Sequence, residues 1–115
     1  MRDILALPER VEPHVIRDDP ALLDAALAVD SACEMWGSML LEGVVDHHML
    51  DRMVGGWIRA SWSRLEVWIE SEREVLDSEN VAEWWQWIVE LLENDPDPGK
   101  AEGAHIAYRH QTRRA

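Results

Sequence analysis

Leu22, Ala26, Val29, Cys33, Trp36 and Leu40 recur at alternating steps of four and three. At 3.6 residues per turn this spacing puts all six on one face of a helix, and it is incompatible with the two-residue period of a strand. Both ends of the stretch carry matching signals. Asp19-Pro20 reads as an N-cap followed by proline at the first helical position, where the missing N–H has no intrahelical partner to lose. Gly43 suits the left-handed position that closes a helix.

The same reading extends along the chain. Val44-Val45 leads to Asp46, which caps a second, short helix expected over His47 to Val54. Gly55-Gly56 is expected to end or bend it, because paired glycines weaken helical continuity. A third helix carries Ile58, Trp62, Leu65 and Ile69 inward, with Arg59, Glu66, Glu70 and Arg73 largely elsewhere. Ser78 or Asn80 caps a fourth, in which Val81, Trp84 or Trp85, Ile88, and Leu91 or Leu92 repeat at helical intervals, and Asn94-Asp95-Pro96-Asp97-Pro98-Gly99 stops it. No stretch alternates long enough for a sheet, and no internal repeat occurs.

The predicted fold is therefore all-α: a small bundle of three long or medium helices plus one short helix. At 115 residues there is room for one core. The helical domain is expected over residues 20–94. Residues 1–19, with Pro8 and Pro13, form a flexible N-terminal arm with at most one short turn, and residues 95–115 form a Pro/Gly linker and a basic tail.

Charge narrows the function classes. Twenty-three acidic residues against 11 basic ones give a formal net charge of −12, and Lys100 is the only lysine. Such an excess repels nucleic-acid phosphates and anionic membrane, so direct binding to either is not expected. A GC-rich genome or a salt-adapted host accounts for the scarcity of lysine. The acidity is uneven: residues 79–99 hold six acids and no base, whereas residues 100–115 hold Lys100, Arg109, Arg113 and Arg114 against Glu102. The uncharged run from Met35 to Leu41 is far below the roughly 20 apolar residues of a membrane span. The start has no signal-peptide pattern, and Cys33 is the only cysteine, so a cytoplasmic protein without an intrachain disulfide is expected.

Motifs for chemistry are few. Asp46-His47-His48-Met49-Leu50-Asp51 is the densest group of potential ligands, and His47 and Asp51, four apart, share a helix face. A structural zinc needs four protein ligands and a catalytic one usually three, and no second cluster with ligand spacing accompanies this one, so neither a metal nor any other cofactor is expected. The Asp-His-His run is similar to the phosphoesterase motif of that name, whose enzymes need further Asp and His motifs over a longer chain. Ser61 and Ser63 lack a nucleophile elbow. Cys33 lies on the apolar face of the first helix, which predicts an inert thiol. Gly55-Gly56 has neither the Lys-Ser/Thr nor the preceding strand of a phosphate loop. No catalytic residue and no small-molecule substrate are expected.

The tryptophans are the most unusual feature. There are seven, with no Phe and with Tyr108 the only Tyr. One helix stripe cannot hide them all: Trp62 and Trp68 are about 120° apart around their helix, and Trp84, Trp85 and Trp87 spread over nearly half of theirs. Trp36, Trp62 and Trp84 are expected in the core. Trp57, Trp68, Trp85 and Trp87 are the candidates for a protein interface, where tryptophan is enriched.

Taken together, Trp36, the run Leu41-Glu42-Gly43-Val44-Val45-Asp46, the run Met53-Val54-Gly55-Gly56-Trp57-Ile58, Trp62-Ser63-Arg64-Leu65, Ile69, Arg73 and Glu83-Trp84-Trp85-Gln86-Trp87-Ile88 give the chain, over roughly residues 26–92, a pattern that resembles an uncharacterised bacterial and phage family of short helical domains. The resemblance implies an all-α fold with a short connection at Gly43 and a tryptophan-led third helix, and supplies no catalytic residue. Members of that family often carry a longer charged or membrane-proximal N-terminal part, where this chain has residues 1–19.

The function expected from these residues is a non-enzymatic interaction module that self-associates or docks onto another protein through a Trp-rich acidic surface. Two alternatives stand beside it. One is an acidic phage-type inhibitor that imitates nucleic acid and occupies a basic protein groove. The other is a small metal-dependent enzyme at Asp46, His47 and Asp51.

Overall fold

A computed structural model of the chain describes residues 3–97. Among these residues there is no strand. A 3₁₀ turn at Ile4–Ala6 is followed by α1 (Pro13–Arg17), α2 (Pro20–Leu41), α3 (His47–Leu50), one π-helical turn (Asp51–Gly55), α4 (Gly56–Leu76) and α5 (Glu83–Asn94).

Local signals place the ends of α2 and the start of α3 where the sequence predicts them. The Asp19 side chain accepts from the Ala21 and Leu22 N–H groups at 3.1 and 3.3 Å. At the other end Gly43 is left-handed, at φ +75°, and the Val44 and Gly43 N–H groups return to the Met39 and Leu40 carbonyls at 2.9 and 3.1 Å. These two bonds satisfy carbonyls the helix leaves open. Asp46 accepts from Met49 N at 3.2 Å and starts α3.

Gly55-Gly56 neither ends nor breaks the helix. Both residues have right-handed helical dihedrals, so α3, the π turn and α4 run on as one rod from His47 to Leu76, and the irregularity is a locally widened turn. Gly55 is buried, consistent with a packing role. The start of α5 also differs from expectation. Ala82, in the left-handed region at φ 58°, precedes the first helical residue, and no local side chain caps it. Instead Glu34 on α2 accepts the Trp85 N–H at 3.0 Å, a cap supplied from 51 residues away.

The expected N-terminal arm is fastened along the body. Ile4, Val11 and Ile16 are buried, and the Arg10 and Val11 N–H groups donate to the Ser63 and Arg64 carbonyls on α4 at 2.8 and 3.2 Å. Arg10 pairs with Glu66, and Arg17 Nε reaches Glu72 at 3.2 Å. Of the expected linker, Asp95–Asp97 is described and is held to α3 and the π turn; the basic tail lies outside the described residues.

The core lies between α2, α4 and α5. From α2 it takes Leu22, Ala25, Ala26, Val29 and Cys33, from α4 Ile58, Leu65, Trp68 and Ile69, and from α5 Trp85, Ile88, Val89 and Leu92. The buried face of α2 ends at Gly37, leaving Trp36 and Leu40 half-buried. Gly37 marks the crossing with α5: a Cβ there would stand 2.6 Å from Trp84 Cβ and 3.1 Å from the Trp84 carbonyl oxygen, closer than carbon atoms pack. Only glycine permits this approach.

Candidate functional site

The crossing of α2 and α5 decides which tryptophans are inside. On α5 the inward stripe is Trp85, Ile88, Val89 and Leu92, so Trp85, a candidate for the surface, is fully buried. Its Nε1 donates to the Ile58 carbonyl at 3.3 Å, and its ring meets Trp62 edge-on at a centroid distance of 5.3 Å. Trp68, another surface candidate, is only 3% exposed, because α4 turns it toward α2 one turn below Leu65. Trp85 is therefore closed to external contact, and Trp68 borders the surface only through the recess it lines. Trp57 and Trp87 are half-buried, as are Trp36, Trp62 and Trp84, the three expected in the core; Trp84 and Trp87 stack edge to face at 5.9 Å.

Trp68 lines a recess of about 360 Å³. One wall is the α2 stripe Leu27, Asp30 and Glu34, at helical steps of three and four. The other is the α4 stripe Trp68, Glu72 and Leu76, four apart. The turn at Asn80, Val81 and Ala82 closes one end. Arg73 secures that turn, with Nε donating to the Val81 carbonyl at 2.9 Å and Nη2 to Gln86 Oε1 at 2.8 Å. Leu27 and Leu76 stay 48% and 61% exposed, giving the recess apolar lips.

Among the described residues its polar groups are all carboxylates or amide and indole groups, with no basic side chain in the lining. Glu72 is in contact with Arg17, and Glu34 holds the start of α5. Asp30 differs, because its Oδ1 is buried without a hydrogen-bond partner. Burial pushes its carboxyl above the ordinary value of 3.8. Glu34 is likewise raised, chiefly by burial, against the lowering effect of the Trp85 N–H. Trp68 Nε1 is a second buried polar atom without a partner. Two orphaned groups, one acceptor and one donor, thus belong to residues lining one recess. Buried polar groups are nearly always satisfied, so each asks for an explanation.

A larger groove of about 410 Å³ between α4 and α5 is less distinctive. Its lining mixes Arg59 and Arg73 with Glu66, Glu70, Glu90 and Glu93, and both arginines already have partners elsewhere.

The ligand set read from sequence as Asp46, His47 and Asp51 is not brought together. Asp51 is fully buried and turned inward, where its carboxylate takes Arg59 Nη2 and the Asp97 N–H, each at 2.9 Å. His47 and His48 meet Asp95 instead. His47 Nε2 lies 2.7 Å from Asp95 Oδ2 and His48 Nε2 3.2 Å from Asp95 Oδ1, and these contacts, that of His47 first, hold the Asp95 carboxyl below its ordinary value. Forty-seven residues and more separate the histidines from that carboxylate, so no local spacing could have announced the group.

Cys33 is fully buried on the inner face of α2. Its thiol is raised from 9.0 to about 12, by burial first and then by the nearby charges of Asp30 and Glu34. Ser61 is buried too. Among the described residues no helix is long and apolar enough to cross a membrane.

No family model, no curated protein and no solved structure matches this chain.

Proposed function

We propose that the chain is a non-enzymatic binding module whose recess between α2 and α4 takes a basic, partly apolar segment of another protein. The observation that carries this reading is Asp30: a carboxylate with a buried, unpartnered oxygen, in a recess that, among the described residues, holds two further carboxylates and no base. A guanidinium or ammonium group is the chemistry that satisfies such an oxygen, and charge-assisted bonds of this kind are the strong ones. Leu27 and Leu76 supply apolar contact for the stem or for flanking residues, and Trp68 Nε1 offers a donor to a peptide carbonyl.

The interface residues of this reading are Asp30, Glu34, Trp68, Leu27 and Leu76 rather than the tryptophan set as a whole. The nucleic-acid-mimic reading is less well supported. Of the six carboxylates in residues 79–99, Asp95 and Asp97 are committed to internal contacts with His47, His48 and Arg52.

The test uses short acetylated peptides that alternate Leu with Arg, and matched peptides with Glu in place of Arg, titrated into the full chain by calorimetry. The reading requires binding of the Arg series alone. Equal binding of both series, or of neither, contradicts it, and a solution mass of a dimer with the recess closed to peptide would assign the face to self-association instead.

A further inference from the structure

Beyond the recess, at the other end of α5, we infer that His47, His48 and Asp95 form a binding site for one divalent transition-metal ion of the zinc class. The three side chains each offer one ligand atom, and these atoms all lie within 4.8 Å of one another. Ligands at about 2.0–2.1 Å from a common tetrahedral ion stand about 3.3 Å apart. The observed separations of 2.7 and 3.2 Å between the imidazole nitrogens and the Asp95 oxygens fall just short of that spacing, so an ion enters once the side chains part slightly. Two imidazoles and one carboxylate are a donor set for zinc, nickel, cobalt or copper rather than for calcium or magnesium, which prefer oxygen alone.

Two features indicate that the arrangement is held in place. First, the other nitrogen of His47, Nδ1, faces the Asp46 carboxylate at 3.9 Å, which is beyond a hydrogen bond but close enough for a small ring rotation to make the contact that orients a metal-binding imidazole. Asp46 is itself fixed by capping Met49. Second, the segment bearing Asp95 is clamped two residues further on. Asp97 N donates to the buried Asp51, Arg59 Nη2 reaches the same carboxylate, and Arg52 pairs with the Asp97 side chain at 3.0 and 3.3 Å. Asp51, which local spacing offers as a ligand, thus serves to position the real one. With three protein ligands the ion keeps an open position for water, and its structural effect is to tie α3 to the end of α5.

The test is uptake of Zn(II) by the metal-free full chain, read by calorimetry and by the rise in thermal midpoint. One ion per chain is expected. Affinity should fall at least tenfold in His48→Gln and in Asp95→Asn, and the zinc-dependent rise in midpoint should vanish in His47→Ala/His48→Ala. Because His105 and His110 also offer imidazoles, His105→Ala/His110→Ala is the control and should bind as the parent does. Circular dichroism and thermal unfolding without metal verify that each variant is folded; Asp95 is largely exposed and tolerates Asn. No uptake, or uptake that survives loss of His47 and His48 and is lost with the tail histidines, overturns the proposal.

Discussion

Glu34 on α2 accepts the backbone N–H of Trp85 at the start of α5, so one helix is capped by a side chain from another. The bond does the work a local Ser or Asp would do, satisfying a first-turn donor that the helix leaves open. Glu34→Ala should cost about 1 kcal/mol, within the range of lost caps, and Glu34→Gln, which keeps an acceptor, clearly less. Chemical denaturation of the two variants side by side measures this; equal losses would remove the capping role.

Gly37 faces Trp84 with no space for a methyl group. Alanine is the better helix former by up to about 1 kcal/mol, so a site without steric conflict would gain stability from the change. Here the overlap with Trp84 Cβ and backbone should win, and Gly37→Ala should destabilise by about 1–3 kcal/mol, the usual range for overpacking. A thermal midpoint equal to or above that of the parent would show that α5 moves aside freely.

Trp85 is the largest fully buried side chain. Trp85→Ala should destabilise by about 3–5 kcal/mol, the range for large-to-small aromatic changes in a core. Trp87→Ala, at a half-buried position, should cost markedly less. Urea titrations of the two single variants separate them, and similar midpoints would contradict the inward orientation of Trp85.

These contrasts mark how much was legible in the chain. Asp19, Gly43 and Asp46 act on backbone groups two to four residues away, and each was readable from local spacing. The fold class follows from that same local periodicity. What decides between Trp84 and Trp85 is the crossing at Gly37, where α5 approaches α2 backbone to side chain. A helical pattern defines stripes, but only the neighbouring helix selects one of them. The cap from Glu34 and the meeting of His47 and His48 with Asp95 join residues about 50 apart, which no spacing rule reaches. Asp30 carries no spacing signal of its own; its significance depends on Trp68 and on the turn at Val81. Gly55-Gly56 misled for a related reason, since tertiary packing of Gly55 outweighs its intrinsic reluctance to be helical.

Cys33 offers a test through pH. Its thiol is raised to about 12 in the folded chain from an ordinary 9.0. A group whose value is raised on folding adds stability below the unfolded value and loses it as pH rises toward the folded one. Stability should therefore decline between about pH 9 and 12, and Cys33→Ser should flatten that part of the profile. At pH 8 a thiol reagent should label the native chain only at the rate of unfolding. Rapid stoichiometric labelling would contradict the burial of Cys33.

Asp30 carries the central claim, because binding and stability should move in opposite directions when it is changed. Its carboxyl is raised by burial, so its ionisation opposes folding: the contribution favours the fold below pH 3.8 and is lost as pH rises through the folded value. Asp30→Asn removes that charge and should raise the thermal midpoint at pH 7, with the difference closing toward pH 3. The decisive measurement is the affinity of the Leu-Arg peptide for Asp30→Asn against the parent at pH 7. A drop of tenfold or more, in a variant at least as stable as the parent, is the predicted result; unchanged affinity in that more stable variant would contradict the assignment of the recess as the binding site.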